Sequence, residues 1–370
     1  MRHWALEVLA GSAAPPPHVP PAAWRVFLRM ERCALPLRAR VLARRMALPP
    51  EAAAALEAQS DREMLRALSA RAQLVTLGRI VTAAGTAAIA LKGGVSVLGS
   101  DMLDVQDVDV LVRPADAPAV ASALERAGGA HAHGADAAPG TAGTFHLAAR
   151  VSDNAVPVEV HYALPYAGGA DPWAGAVPAG PPGILRLAPG LHLWHVLVHG
   201  AVHHPERRGT LRELLMLAAA IRACEAADLA GVRSRAAAHP DAPPLLQALR
   251  AGEALAGGAL AADPFRPTAV LGYLVMAAGG RDAYRGRFGV DLVRTAYALV
   301  SGQGAYRRLW LSSPSGVRSL EEFGGATWMD RLSPAAARAL RVAQRAANTA
   351  AGTPAALRLA RAARAIANET

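Results

Sequence analysis

The apolar positions of the chain follow a helical period first, a strand-like period over a short middle stretch, and a helical period again. After a Pro-rich loop over 11–21, residues 22–46 read as a helix that Pro49-Pro50 close. Residues 51–84 place Leu56, Met64, Leu68, Leu74, Leu77 and Val81 near helical spacing, which predicts one long helix ended by Gly85. Residues 86–91 and 108–112 are short apolar runs and read as strands. Pro114 with Asp116 then starts a helix to about residue 127. Residues 128–143 read as loop, and 144–151 with 155–163 as a strand pair joined around Asp153-Asn154. From Ile184 onward the pattern is helical, with breaks at 240–244, 279–280, 312–316 and 352–354. The prediction is an α/β (α+β) chain. A loop and helices occupy 1–50, a small mixed-sheet core 51–164, a Gly/Pro-rich linker 165–183, and a larger helical domain 184–370.

Composition changes this picture little. A chain of 370 residues is long enough to bury a full core. The formal charge of +10 would ordinarily point to nucleic acid or an acidic surface. Only 5% of residues are aromatic, and no arginine run is interleaved with them, so no base-stacking surface is expected. The basic faces formed by arginines over 338–364 read as solvated helix surface. Cys33 and Cys224 lie far apart with no motif around them. That excludes a disulfide framework and a Cys-based zinc site, and it fits a reducing cytoplasm. No apolar run reaches spanning length and no signal peptide is recognisable.

Charge matters at one point. Of 39 basic residues, Lys92 alone is lysine. It opens Lys92-Gly93-Gly94, with Ser96 following, at the end of an apolar strand. Glycines let backbone approach a phosphate closely, and a compact ammonium is not interchangeable with a guanidinium fork. Asp107 and Asp109 follow, two apart on a strand and therefore on one face. Adjacent carboxylates repel unless a cation sits between them, so asparagine at either position is expected not to destabilise the apo chain. Glu159, flanked by Val158 and Val160 on a later strand, is a third carboxylate in an apolar setting that calls for a partner or a metal.

The motifs Ala90-Leu91-Lys92-Gly93-Gly94, Asp107-Val108-Asp109-Val110-Leu111-Val112 and Val158-Glu159-Val160-His161-Tyr162-Ala163-Leu164 resemble the uncharacterised bacterial nucleotidyltransferase family of the polymerase-beta-type superfamily. The resemblance is specific over 90–164, weaker over 53–84 and loose over 191–219. It implies transfer of a nucleoside monophosphate from an NTP to an acceptor hydroxyl or phosphate, with pyrophosphate released. It implies two Mg²⁺ held by Asp107, Asp109 and Glu159, and phosphates held by Lys92, Gly93, Gly94 and Ser96. Three positions depart from the family pattern. Glu159 stands where aspartate is commoner. Leu103-Asp104-Val105-Gln106 stands where an arginine is usual. Met216 stands where aspartate is usual. The last two leave open a rival class, a non-catalytic nucleotide-binding or scaffold subunit of a biosynthetic cluster.

His192, His195, His199 and His203 recur at spacings that put them on one helix face. That face reads either as a metal-ligand spacing or as a polar face lining the cleft or packing on the sheet; the resemblance supports the second. His161 shares a strand face with Glu159 and reads as a phosphate- or acceptor-orienting group or a structural histidine. Arg207, Arg208 and Arg212 follow in sequence and offer a cation for the leaving pyrophosphate.

Overall fold

The computed structural model describes residues 1–19, 21–99, 102–127, 146–149, 156, 158–164, 167, 169–203 and 210–259. The chain divides into two compact units, Met1–Ala201 with Gly209–Pro264, and Val202–Arg208 with Phe265–Thr370. The elements that carry the site belong to the first.

That unit opens with α1 (Arg2–Ala10), α2 (Pro21–Glu31) and α3 (Ala34–Ala43). The single helix expected over 22–46 is therefore two. Pro36 would clash with the carbonyl four residues back, and at that residue, Arg32, the backbone turns left-handed at φ 51°. The long helix is present as α4 (Pro50–Ala83), opened by its N-terminal proline and Glu51 in the first turn. Its buried stripe differs from the expected one. Ala67, Ala70, Leu74, Leu77 and Val81 are fully buried, whereas Leu68 is 46% exposed. The five recur at alternating three- and four-residue steps, and the small side chains of Ala67 and Ala70 let that part of the helix pack closely in the core it shares with the sheet.

The sheet is mixed and six-stranded, in the order β3-β4-β2-β1-β6-β5. Its strands are β1 (Ala88–Ala90), β2 (Val108–Leu111), β3 (His146–Ala149), β4 (Val158–His161), β5 (Val177–Pro178) and β6 (Ile184–Arg186). β2 runs antiparallel to β1 and parallel to β4, with Asp109 opposite Glu159. β6 adds parallel to the other side of β1. The apolar pattern shows neither β5, which falls in the expected linker, nor β6, which falls where the helical pattern was expected to begin. α5 (Lys92–Leu98) and α6 (Ala117–Arg126) follow β1 and β2.

Alternation splits the sheet into two faces. Ala88, Ala90, Val108, Val110, Val158 and Val160 pack with α4 and α6. Ile89, Leu91 and Leu111 form a second, smaller core with Leu164 and Leu187. Asp109, Glu159 and His161 share the register of this second face. Two glycines bring α4 onto β6. A Cβ at Gly78 would collide with the Pro182 carbonyl, and Gly183 takes φ 75° to pass the helix.

Beyond the sheet come α7 (Pro189–Val198), a π-helical turn (His199–His203), α8 (Leu211–Arg222), α9 (Ala226–Ala238) and α10 (Ala242–Ala256). No helix among the described residues is long and apolar enough to cross a membrane. The helices expected after residue 260 lie outside the described residues.

Candidate active site on the second sheet face

Asp109 is the centre of the site. It is 4% exposed, in mid-strand on β2. Lys92 Nζ donates to Asp109 Oδ1 at 2.7 Å, and His161 Nε2 lies 2.8 Å from the same oxygen. Burial alone would raise the Asp109 carboxyl. The Lys92 ammonium and the His161 contact outweigh it and hold the group well below the usual carboxylate range. Glu159 faces Asp109 across the parallel β2–β4 pair. Ligand atoms of Asp109, Glu159 and His161 all lie within 4.8 Å of one another. Two carboxylates and an imidazole, with one carboxylate firmly ionised, are a donor set that suits a divalent cation.

Asp107 stands just before β2, in a bend rather than on the strand. Its carboxyl is pushed above the ordinary range by burial first and then by the Asp109 and Glu159 charges, against Lys92 and Arg212. The two aspartates of the motif are therefore in different electrostatic states.

Lys92 begins α5 with its backbone left-handed at φ 42°, a conformation that costs an L-residue about 1–3 kcal/mol. The glycines after it serve close packing. A Cβ at Gly93 would lie 2.6 Å from Val105 Cγ1 and 3.1 Å from Arg212 Nη2. The Gly94 amide donates to the Leu91 carbonyl at 2.9 Å. Ser96 Oγ donates to the Gly93 carbonyl within the same helix, at 2.8 Å.

The α7 histidines divide. His195 is buried, and burial followed by the Lys92 ammonium holds its imidazole well below the ordinary value, with Asp109 and His161 also within electrostatic reach. Its ring centroid lies 6.0 Å from that of His199. His192 is lowered to about 4 by burial and by Arg186. The His203 side chain, Arg207, Arg208 and the arginines over 338–364 lie outside the described residues.

A buried ionic network behind the site was missed in the sequence. Asp104, fully buried, accepts from Arg32 Nε and Arg66 Nε at 2.6 Å each, while its carbonyl accepts from Arg212 Nε at 2.6 Å. Arg212 Nη1 also donates to Glu213 Oε1 at 2.6 Å. Glu31 accepts from Arg2 and, at 2.7 Å, from the Leu211 amide at the start of α8. Little in the sequence marks it, because Asp104 stands among Asp101, Gln106 and Asp107 and reads as one charge of a polar segment.

A family model described as "Uncharacterised nucleotidyltransferase" matches residues 22–257, well over half of the chain. The chain belongs to this family. The match takes in all six strands and α3 to α10, so it contains every residue of the site just described. Membership makes the chain a nucleotidyltransferase by family, with a nucleotide as the substrate class. Neither a curated protein nor a solved structure matches it. Among the residues of this nucleotidyltransferase singled out in sequence, Lys92, Asp109, Glu159 and His161 meet on the second sheet face, with Asp107 and His195 within electrostatic reach. Arg212 is set against Gly93. Met216 is buried in the core on α8, 3% exposed.

Proposed function

We propose that this chain is an active, Mg²⁺-dependent nucleotidyltransferase that moves a nucleoside monophosphate from an NTP to an acceptor hydroxyl or phosphate, releasing pyrophosphate. The observation that carries the reading is the Asp109, Glu159 and His161 cluster beside Lys92, in a chain of this family. Asp109, Glu159 and His161 would hold a divalent cation. Asp107, whose carboxyl is pushed up by burial and its acidic neighbours, is the added donor that a second ion would use. Ions there would neutralise the charge that develops on the transferred phosphoryl group and the leaving pyrophosphate. Lys92 meets the phosphates, and Glu159 accepts the proton of the acceptor. Arg212 supports the reading despite the absence of an arginine just before Asp107, because it reaches the same neighbourhood from α8. The free thiols Cys33 and Cys224 fit a cytoplasmic setting.

Calorimetry with each NTP and Mg²⁺, paired with an assay for released pyrophosphate, tests this. Mg²⁺-dependent binding with turnover is expected. Binding without turnover across acceptors would favour the non-catalytic subunit, to which the buried Met216 lends support. No binding would end both readings.

A further inference from the structure

The one lysine of the chain and the metal-donor cluster depend on the same atom. Lys92 Nζ and His161 Nε2 both contact Asp109 Oδ1, at 2.7 and 2.8 Å. The side chains of Lys92 and Asp109 are 13% and 5% exposed, so water does little to screen them. Asp109 is also a member of the only potential metal-donor group among the described residues. A divalent cation reaching Asp109 therefore meets an ammonium already seated there. Both are positive, both seek the same carboxylate, and the low-dielectric setting strengthens their repulsion.

We propose that Lys92 is the resident counter-ion of the metal site, and that its ammonium leaves Asp109 when a divalent cation binds and moves to the phosphates of the nucleotide. The inference rests on the function proposed above and adds an exchange that links its two ligands. Three observations support it. The Lys92 backbone is held at φ 42° at the start of α5, while its side chain is a flexible four-carbon stem. The Lys92 side chain is largely but not fully buried and bonds Asp109 through its terminal ammonium. The residue type also fits. In a chain that writes every other positive charge as arginine, this position keeps the one side chain that gives up a carboxylate contact easily. A guanidinium would grip Asp109 with two parallel bonds and hold it.

Coupling of this kind is reciprocal. In the intact protein the nucleotide supplies a new partner for the displaced ammonium, so nucleotide raises cation affinity and cation raises nucleotide affinity. Removing the ammonium should remove the competition and the share of the coupling that passes through Lys92.

Mn²⁺ titration of the full chain, followed by calorimetry and by electron paramagnetic resonance of free Mn²⁺, tests this with and without a non-hydrolysable NTP analogue. Without nucleotide, Lys92→Ala and Lys92→Gln should bind Mn²⁺ about ten- to a hundredfold more tightly than wild type, the range set by one charge-assisted contact. Lys92→Arg should bind it more weakly. The NTP analogue should strengthen Mn²⁺ binding more in wild type than in the Ala and Gln variants, where only the direct contact between cation and phosphate remains. If Lys92→Ala does not fold, Lys92→Gln, which keeps the stem, carries the measurement. Mn²⁺ affinity in Lys92→Gln equal to or weaker than wild type would overturn the exchange, and would leave nucleotidyl transfer standing if turnover persists. Absence of Mn²⁺ binding in wild type and variants alike would overturn the exchange together with the metal site itself.

Discussion

Asp107 and Asp109 are separated by one residue, yet their environments push their carboxyls in opposite directions. The expectation that asparagine is harmless at either position therefore holds only for Asp107. Asp107→Asn should leave urea stability within about 0.5 kcal/mol of wild type, or raise it. Asp109→Asn should cost about 1–3 kcal/mol, because it strips the buried Lys92 ammonium of its charged acceptor. Both variants should lose divalent-dependent nucleotide binding. The Asp109 carboxyl is depressed, so its stabilising effect is complete above about pH 4 and lost only as pH falls further. Glu63 behaves in the opposite sense. Burial raises its carboxyl to about 7 although the Leu35 amide donates to it. The folded chain then keeps a proton that the unfolded chain gives up, so stability falls as pH rises from about 4.5 to about 7. Urea midpoints at pH 5 and pH 8 should show that fall in wild type and a flatter profile in Glu63→Gln. Asp109 and Glu159 were legible in sequence because each breaks an apolar strand, and Asp107 because it stands two residues before Asp109. Their charge states were not, because those depend on Lys92 and His161 arriving from other segments.

At the scale of elements, sequence pattern served long helices and isolated strands well and close contacts poorly. α4, β1, β2 and β4 follow from apolar spacing. The α2–α3 break was overlooked because Pro36 acts on a residue four positions earlier. β6 was overlooked because its pairing with β1 is decided by two glycines that have no apolar signature. Those glycines make a sharp comparison. Gly78→Ala should destabilise the chain by about 1–3 kcal/mol, since the added methyl meets the Pro182 carbonyl rather than a side chain that can move. Gly231→Ala, in α9 with nothing within 4 Å of the new Cβ, should stabilise it by about 0.5–1 kcal/mol. Thermal melts of the two variants, run side by side, check the contrast.

At the scale of the molecule, the parts placed before and after residue 182 share buried contacts. A fragment of residues 1–182 would lose β6 from the edge of β1, the Arg212 contact with the Asp104 carbonyl, and the Leu211 amide from Glu31. It should show no cooperative unfolding transition by circular dichroism, whereas the full chain should. A fragment that melts cooperatively would show that the sheet stands without these contacts. The β2–β4 pairing has a consequence for descent as well. Asp109 and Glu159 face each other because hydrogen-bonded neighbouring strands set them side by side, about 4.8 Å apart across the ladder. The stretch of chain between the two strands sets none of that distance. Lineages are therefore free to lengthen or shorten this stretch while the chemistry stays in place, and kinship is better traced by which strand positions face each other than by counting residues between motifs.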